Sequence, residues 1–226
     1  KFCTNLHIYC RLTKDYFMPL IKSIKSDNSF TGIWHLTEST NMLSQMLRFY
    51  GKYNLPGHYT HQRRIAEWYA VRLILHEILP EKHFDIFYNE YGKPFLAAPE
   101  GFISISHTHG FVGVLFHRYN NCGFDMELLD RSVVSISHKF VRSDETSFLL
   151  DNPQQKTLML WSAKEVIYKI YGKKSLDFKD NLRILPFEYQ QQGEIKGQLI
   201  LNNDICSYDI QYSFQDHLLT TIAIEK

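Results

Sequence analysis

Residues 161–169 read WSAKEVIYK, and the longer stretch LMLWSAKEVIYKIYG predicts a helix that ends at Gly172. A helical projection places apolar side chains together on one side, where they form a core stripe. These are Leu160, Ala163, Ile167 and Ile170. Glu165 and Lys169 lie on the opposite side, which also carries large apolar groups. We therefore expect a helix that is covered on two sides, with Glu165 at a partly buried seam.

A carboxylate at such a seam needs a partner. Lys169 lies one helical turn beyond Glu165, and an i,i+4 ion pair of this kind is worth a few tenths of a kcal/mol. The alternative partner is a metal ion that Glu165 shares with acidic residues elsewhere in the chain. The spacing within the helix does not decide between the two.

The stretch NNCGFDMELLD predicts a strand after a turn, with Asp125 and Glu127 on the same face. Two acids on one face repel each other unless solvent or a cation separates them. On this pattern alone the favoured interpretation is a solvated face of an antiparallel strand. Together with Glu165, however, the pair would offer three carboxylates, which suit a hard divalent cation such as Mg²⁺.

Composition excludes several classes of protein. The chain has 226 residues, 44% of them hydrophobic, and a net charge of +1, so no global charge favours nucleic acid or an anionic membrane surface. No apolar run approaches the ~20 residues that span a bilayer, and the first residues lack the apolar core of a signal peptide. Four isolated cysteines favour reduced thiols. We therefore expect a cytoplasmic protein that binds neither nucleic acid nor membrane.

The pattern along the chain predicts a mixed α+β fold. Helices are predicted from about Thr40 and over HQRRIAEWYAVRLILHEIL, and Gly172 ends the third. Strands are predicted at the start (FCTNLHIYCRL), on either side of a Gly92-Lys93-Pro94 turn, around residues 107–110, at Asp125, and in the tail from about Leu182. We expect two lobes, residues 1–118 and residues 119–226.

GFDME followed by WSAKEVIYK resembles the paired signature of 4′-phosphopantetheinyl transferases of the surfactin-synthetase-activating type. The matching positions are Gly123, Asp125, Glu127, Trp161, Ser162, Lys164, Glu165 and Lys169. YGKPFL, with Gly92, Lys93 and Pro94, and ISISHTHG, with Ser106 and His107, stand upstream in the family's order. LRFY and the helix that begins HQRR look like its basic entry region, with Arg48, Arg63 and Arg64.

The resemblance implies a two-lobed, pseudo-symmetric fold, in which each lobe is a small antiparallel sheet with a packed helix. It also implies coenzyme A as substrate and transfer of its phosphopantetheine arm to a serine of an apo acyl or peptidyl carrier protein. Asp125, Glu127 and Glu165 would hold Mg²⁺, or Mn²⁺ in its place. Glu165 would be the base, and Lys169 would assist the leaving group.

The remaining matched residues would contact coenzyme A. They are Arg48, Arg63, Arg64, Gly92, Lys93, Pro94, Ser106, His107, Lys164 and Lys169. Without the resemblance, the arginine pair and Lys93 would be interpreted as solvated side chains, and His107 as a plain loop histidine. The stretch 131–152 is a hypothetical carrier-docking surface, because it lies between the two motifs. We expect a monomer, and the alternative function is a non-catalytic relative that binds coenzyme A or a carrier.

Overall fold

A computed structural model of the protein describes residues 20–25, 28–79, 84–97, 100–202 and 204–226. The strand predicted at residues 2–12 lies outside these ranges. The described chain forms two antiparallel sheets, of six and five strands, and each carries a long α-helix. Within the described residues, no helix is both long and apolar enough to cross a membrane. The predicted mixed α+β, two-lobed architecture is confirmed.

The N-terminal lobe contains the six-stranded sheet, in the order β1-β2-β6-β5-β4-β3. Its elements along the chain are β1 (Leu20–Lys25), β2 (Ser29–His35), α1 (Thr40–Arg48), α2 (Gln62–Ile78), β3 (Ile86–Tyr88), β4 (Pro94–Leu96), β5 (Gly101–Thr108) and β6 (Phe111–His117). Helix α2 packs Val71, Ile74 and other apolar side chains against β6 residues such as Val114. Each fully buried side chain of this size contributes about 1.5–3 kcal/mol to folding.

The C-terminal lobe contains the five-stranded sheet, in the order β7-β11-β10-β9-β8. Its elements are β7 (Cys122–Leu128), three short 3₁₀ helices (Val134–Lys139, Ser143–Glu145 and Ser147–Leu149), α3 (Pro153–Tyr171), β8 (Leu182–Ile184), β9 (Gln192–Leu201), β10 (Asp204–Gln215) and β11 (Leu218–Ile224). The predicted core stripe of α3 is confirmed, since its four residues are at most 1% exposed.

Helix α3 ends at the predicted residue. Gly172 adopts φ +63°, in the left-handed region where glycine is favoured, and its N–H donates to Tyr168 O at 3.0 Å. The chain passes from the first sheet to the second between His117 and Cys122, and the lobe boundary predicted after residue 118 falls within this connection.

Strand β7 lies where the two lobes meet. Phe124 and Met126 pack against Ile33 and Leu115 of the first sheet. The other face of the strand is also buried, because Asp125 and Glu127 are only 4% and 3% exposed. The solvated face favoured by the two-acid pattern alone is therefore wrong. Helix α3 covers that face, and it turns an ordinary pattern into a buried pair of carboxylates.

Candidate active site at the junction of the lobes

A close approach between helix α3 and strand β7 creates the site. A Cβ atom on Gly123 would lie 2.3 Å from the Val166 carbonyl oxygen, far inside contact distance. Glycine therefore lets the helix backbone rest directly on the strand, as close backbone approaches require. Val166 follows Glu165, so this contact brings the helix carboxylate to the two strand carboxylates.

Asp125 is the most completely hydrogen-bonded of the three carboxylates. Its Oδ1 accepts from Ser106 Oγ at 2.9 Å and from Lys169 Nζ at 2.7 Å, and its Oδ2 accepts from Ser162 Oγ at 2.7 Å. Burial acts to raise its pKa, but the charge of Lys169 and these hydrogen bonds hold the pKa below the usual value. Asp125 is therefore an ionised, fixed group.

Glu127 has a different set of partners. Its Oε1 accepts from Trp161 Nε1 at 2.9 Å, and both of its oxygens accept from Arg131 Nη1. Burial and the neighbouring charge of Asp125 raise its pKa, although Arg131 and Trp161 oppose that change. The carboxylate thus depends on a single arginine for charge compensation.

Glu165 is the least satisfied member of the cluster. Burial, then the charges of Asp125 and Glu127, raise its pKa to about 7, while Lys169 acts in the opposite direction. Among the described residues no side chain or backbone group forms a hydrogen bond with the Glu165 carboxylate. A carboxylate whose pKa lies near neutrality and whose oxygens are unengaged has the properties of a general base.

Lys169 does not form the i,i+4 pair with Glu165. Its Nζ donates to Asp125 Oδ1, to Phe124 O at 2.8 Å and to Ser106 Oγ at 3.1 Å. The lysine therefore joins the helix to strands β5 and β7. The choice left open by the sequence is resolved against the simple helix pair, and Glu165 stays available for other contacts.

The three carboxylates of the cluster offer oxygen ligands of the kind that a divalent cation requires. No group of three or more His, Cys, Asp or Glu side chains is already arranged to hold a metal ion within the described part of the chain. The donor chemistry nevertheless fits a hard cation, because carboxylate oxygens are its preferred ligands. The three carboxylates face only two cationic side chains, and burial together with their mutual repulsion raises the pKa values of Glu127 and Glu165. Asp125, Glu127 and Glu165 are the residues that would hold Mg²⁺ or Mn²⁺.

Two adjoining clefts open beside the cluster. The first, the lysine cleft, has a volume of about 180 Å³ and is lined by Lys93, Tyr168, Lys169 and Lys173 among others. The second, the arginine cleft, has a volume of about 260 Å³ and is lined by residues that include Arg64, Arg72, Tyr88 and His107. Both clefts share Gly92, Pro94 and Ile105. The predicted GKP turn therefore forms the wall between them.

The predicted basic residues of the N-terminal lobe have unequal positions. Arg63 Nε and Arg64 Nη1 donate to the buried Glu67 at 2.8 and 2.9 Å, and both arginines remain more than half exposed. Arg64 lines the arginine cleft, whereas Arg48 is exposed on α1 and lines neither cleft.

His107 reaches solvent through the arginine cleft. Burial by the surrounding protein lowers its pKa to about 4, and the charges of Arg64, Lys169 and Arg63 act in the same direction, against Glu67. The imidazole is therefore neutral at pH 7, and it would contact an anion as a hydrogen-bond donor rather than as a cation.

Lys93 lies in the predicted turn and lines the lysine cleft, but its ammonium is engaged. Its Nζ donates to Ile170 O at 2.8 Å and to Asn121 Oδ1. A cation at the carbonyl end of α3 is favoured by the helix dipole. In this structure Lys93 connects the lobes, and burial lowers its pKa.

Lys164 does not lie at the site, so the assignment of this residue to coenzyme A binding needs correction. Its side chain is fully buried and donates to Glu145 Oε2 at 2.8 Å, Phe140 O at 2.6 Å and Phe178 O at 3.0 Å. Burial lowers its pKa to about 8. Consecutive helical residues differ by roughly 100° in direction, so Lys164 and Glu165 face different surroundings.

Sequence reasoning missed two arginines, one that lines the arginine cleft and one beside the carboxylates. Arg72 stacks over Trp68, 3.5 Å from the ring centroid, and burial lowers its pKa to about 10. The sequence contained an indication that Arg72 is unusual, because this charged residue occupies a position in the apolar repeat of α2. Arg131 binds Glu127 from a loop after β7, and no local pattern marked it.

The comparisons with known proteins add no identification. No protein-family model matches the chain, and no curated protein matches it. Function is therefore argued from the residues and their geometry.

Proposed function

We propose that the protein is a phosphopantetheinyl transferase that acts in the cytoplasm. It would transfer 4′-phosphopantetheine from coenzyme A to a serine of an apo acyl or peptidyl carrier protein, with release of adenosine 3′,5′-bisphosphate. The observation that carries the proposal is the meeting of Glu165 with Asp125, Glu127 and Lys169, since Lys169 also lines one of two adjoining basic clefts. The resemblance of GFDME and WSAKEVIYK to the family signature supplies the reaction.

Glu165 is the residue best suited to accept the proton of the carrier serine. Its pKa of about 7 leaves a large share of the side chain ionised at neutral pH, and it has spare hydrogen-bonding capacity. Proton removal lets the serine oxygen bond to the phosphorus that carries the pantetheine arm. The bond from that phosphorus to the nucleotide phosphate then breaks.

Lys169 is suited to the opposite task. Its side chain is 23% exposed and lines the lysine cleft, and its ammonium donates to three acceptors. A fixed cation at this place would stabilise the charge that develops on the departing phosphate. Asp125, Glu127 and Glu165 would hold a divalent cation, and this cation would add positive charge beside the pyrophosphate oxygens.

The arginine cleft is suited to the nucleotide. Arginine forks match phosphate geometry, and Arg64 is exposed at the wall of this cleft. Tyr59, Trp68 and Tyr88 provide aromatic surface there. His107 of β5 lines this cleft, where its ring has a hydrogen-bonding nitrogen for a phosphate. The preceding residue, Ser106, is buried and donates its hydroxyl to Asp125, so it holds the carboxylate rather than the nucleotide in this structure.

The test is a carrier-loading assay with the full chain. Coenzyme A, Mg²⁺ or Mn²⁺ and several apo carriers are supplied, and mass spectrometry follows the gain of one phosphopantetheine. Glu165→Gln is expected to reduce turnover by about 10²- to 10⁴-fold. Glu194→Gln, which alters an exposed glutamate of β9, is the matched control and should leave turnover unchanged.

Circular dichroism would check that both variants fold. Wild-type turnover in Glu165→Gln would remove the proposed base but not the reaction. If no carrier gains mass with either cation, the transferase function is wrong. Tight binding of coenzyme A by calorimetry without product would instead favour the non-catalytic relative.

A further inference from the structure

Arg131 forms an ion pair with Glu127, which is one of the three carboxylates that would bind the proposed cation. Its Nη1 donates to both oxygens of Glu127, and its guanidinium lies 5.8 Å from the centre of the Trp161 ring. No other side chain of the described residues forms an ion pair with Glu127. The positive charge required beside this buried acid is therefore supplied by the protein itself.

The cation beside Asp125 is held much more firmly. Lys169 has three acceptors, Asp125 Oδ1, Ser106 Oγ and Phe124 O, and it emerges from the rigid helix α3. Asp125 also retains two hydroxyl donors, Ser106 and Ser162. Removing one partner from this group would leave several others in place.

Arg131 is held by a single acceptor group. Its side chain is 43% exposed, and within the described chain its guanidinium donates only to Glu127. It emerges from a loop after β7, where its further contacts with described residues are the Trp161 ring and the hydrogen bond from Arg131 N to Leu128 O. An exposed guanidinium regains water when it leaves, whereas the buried carboxylate of Glu127 then needs another cation in its place.

We propose that Arg131 is a displaceable internal counterion, which occupies Glu127 until a divalent cation binds and thereby sets the affinity of the site for that cation. The inference rests on the proposed function, since it assumes that Glu127 is a cation ligand. Trp161 keeps its hydrogen bond to Glu127 Oε1 and holds the carboxylate in position when Arg131 leaves.

Two physical consequences follow. Removing the arginine charge leaves Glu127 with only the hydrogen bond from Trp161 to Oε1, and it leaves three acids facing only Lys169, so cations should bind more tightly. Keeping the charge but shortening its reach should preserve most of the competition, because a lysine at this position still presents one ammonium.

Calorimetric titration with MgCl₂ alone and with MnCl₂ alone tests the proposal on the full chain, without coenzyme A or carrier. We compare wild type with Arg131→Gln, Arg131→Lys and Glu127→Gln. The dissociation constant of Arg131→Gln is expected to fall about tenfold below that of wild type, the size of effect expected for a partly exposed ion pair. Arg131→Lys should stay within a few-fold of wild type.

A second measurement covers the case in which Arg131→Gln destabilises the protein before cation is added. A ligand that binds only the folded state raises the melting temperature according to its affinity. The rise caused by MgCl₂ should therefore be larger for Arg131→Gln than for wild type, whatever the starting stability.

The outcomes separate the two proposals. If wild type binds cation in a way that Glu127→Gln abolishes, but Arg131→Gln binds equally or more weakly, the counterion role is wrong and the metal site stands. Binding by Arg131→Gln but not by wild type supports the counterion role. If none of the variants binds either cation, both the counterion role and the metal-dependent function are overturned.

Discussion

Two regions on either side of helix α3 handle buried charge in opposite ways. In the first, the buried anchor, Lys164 and Glu145 are both fully buried and every hydrogen-bonding atom of the pair has a partner. In the second, the carboxylate cluster, Asp125, Glu127 and Glu165 face two cations, Lys169 and Arg131. The anchor is balanced, and the cluster carries one uncompensated acid.

The contrast separates structural charge from functional charge. A buried pair with complete hydrogen bonding holds chain segments together, and it has nothing left to offer a ligand. Lys164 thus connects α3 to the loop carbonyls of Phe140 and Phe178. A cluster with surplus negative charge is costly in the empty protein, and binding a cation relieves that cost. Residues 164 and 165 are adjacent in sequence, yet they belong to different regions.

The largest expected effect breaks the anchor. Lys164→Met should lower the free energy of unfolding by about 3–5 kcal/mol, because Glu145 is then left as an unpaired buried charge. Urea denaturation followed by circular dichroism would measure the loss. Lys156→Met is the matched control, since this second buried lysine of α3 bonds Asp151, which is 58% exposed and can regain water. Equal losses in the two variants would contradict the anchor.

The next effect concerns the surplus charge of the cluster. The folded state holds the pKa of Glu165 at about 7, above the usual value of 4.5 for a glutamate, so the folded state binds the proton more tightly. Between these values stability must fall as pH rises, because the unfolded state carries fewer protons. Without divalent cation, Glu165→Gln should therefore stabilise the protein by about 3 kcal/mol at pH 8 and hardly at all at pH 4.

Thermal denaturation of the cation-free protein at both pH values would measure this gain. Glu194→Gln, on the exposed part of β9, serves as the control and should show no such pH dependence. A destabilised Glu165→Gln at pH 8 would mean that Glu165 is compensated in the folded state, and the contrast between the two regions would then disappear.

The smallest effect tests the contact that brings the regions together. Gly123→Ala places a Cβ atom 2.3 Å from a backbone oxygen of α3, so the helix must shift away from β7. Overpacking of this kind typically costs about 1–3 kcal/mol. Gly57→Ala is the control, because nothing lies within 4 Å of its added Cβ. In the carrier-loading assay Gly123→Ala should lose more activity than its lower stability explains, since Glu165 moves with the helix.

If Gly123→Ala keeps both wild-type stability and wild-type turnover, the close approach of α3 to β7 does not position the carboxylates. A loss of stability with unchanged turnover of the folded fraction would limit the role of Gly123 to packing.

Local patterns predicted most elements of the fold, although no strand was predicted at β1 or β2. Apolar residues at helical spacing marked all three described α-helices, and alternation with turn residues marked the strands on both sides of β7. These signals are local, because side-chain direction repeats every few residues. The same logic found the core stripe of α3 and the seam at Glu165.

Partner choice was not predictable in the same way. The spacing of Glu165 and Lys169 allowed an i,i+4 pair, but Lys169 extends to Asp125 on a strand 44 residues away. The two-acid pattern of β7 favoured solvent, and only the packing of α3 across the strand made that face dry. Lys164 could have been separated from the site by its direction on the helix, although its partner Glu145 could not.

The sequence by itself determined the helices, most of the strands and the three carboxylates with the nearby lysine, because periodicity and motif spacing are properties of neighbouring residues. Tertiary structure alone decided which charges are compensated. Burial removes water from a carboxylate, and the energy of the charge then depends on whichever cation the fold brings within a few ångströms. For this reason Lys164 is an anchor, Arg131 is a counterion and Glu165 is the carboxylate without its own compensating cation.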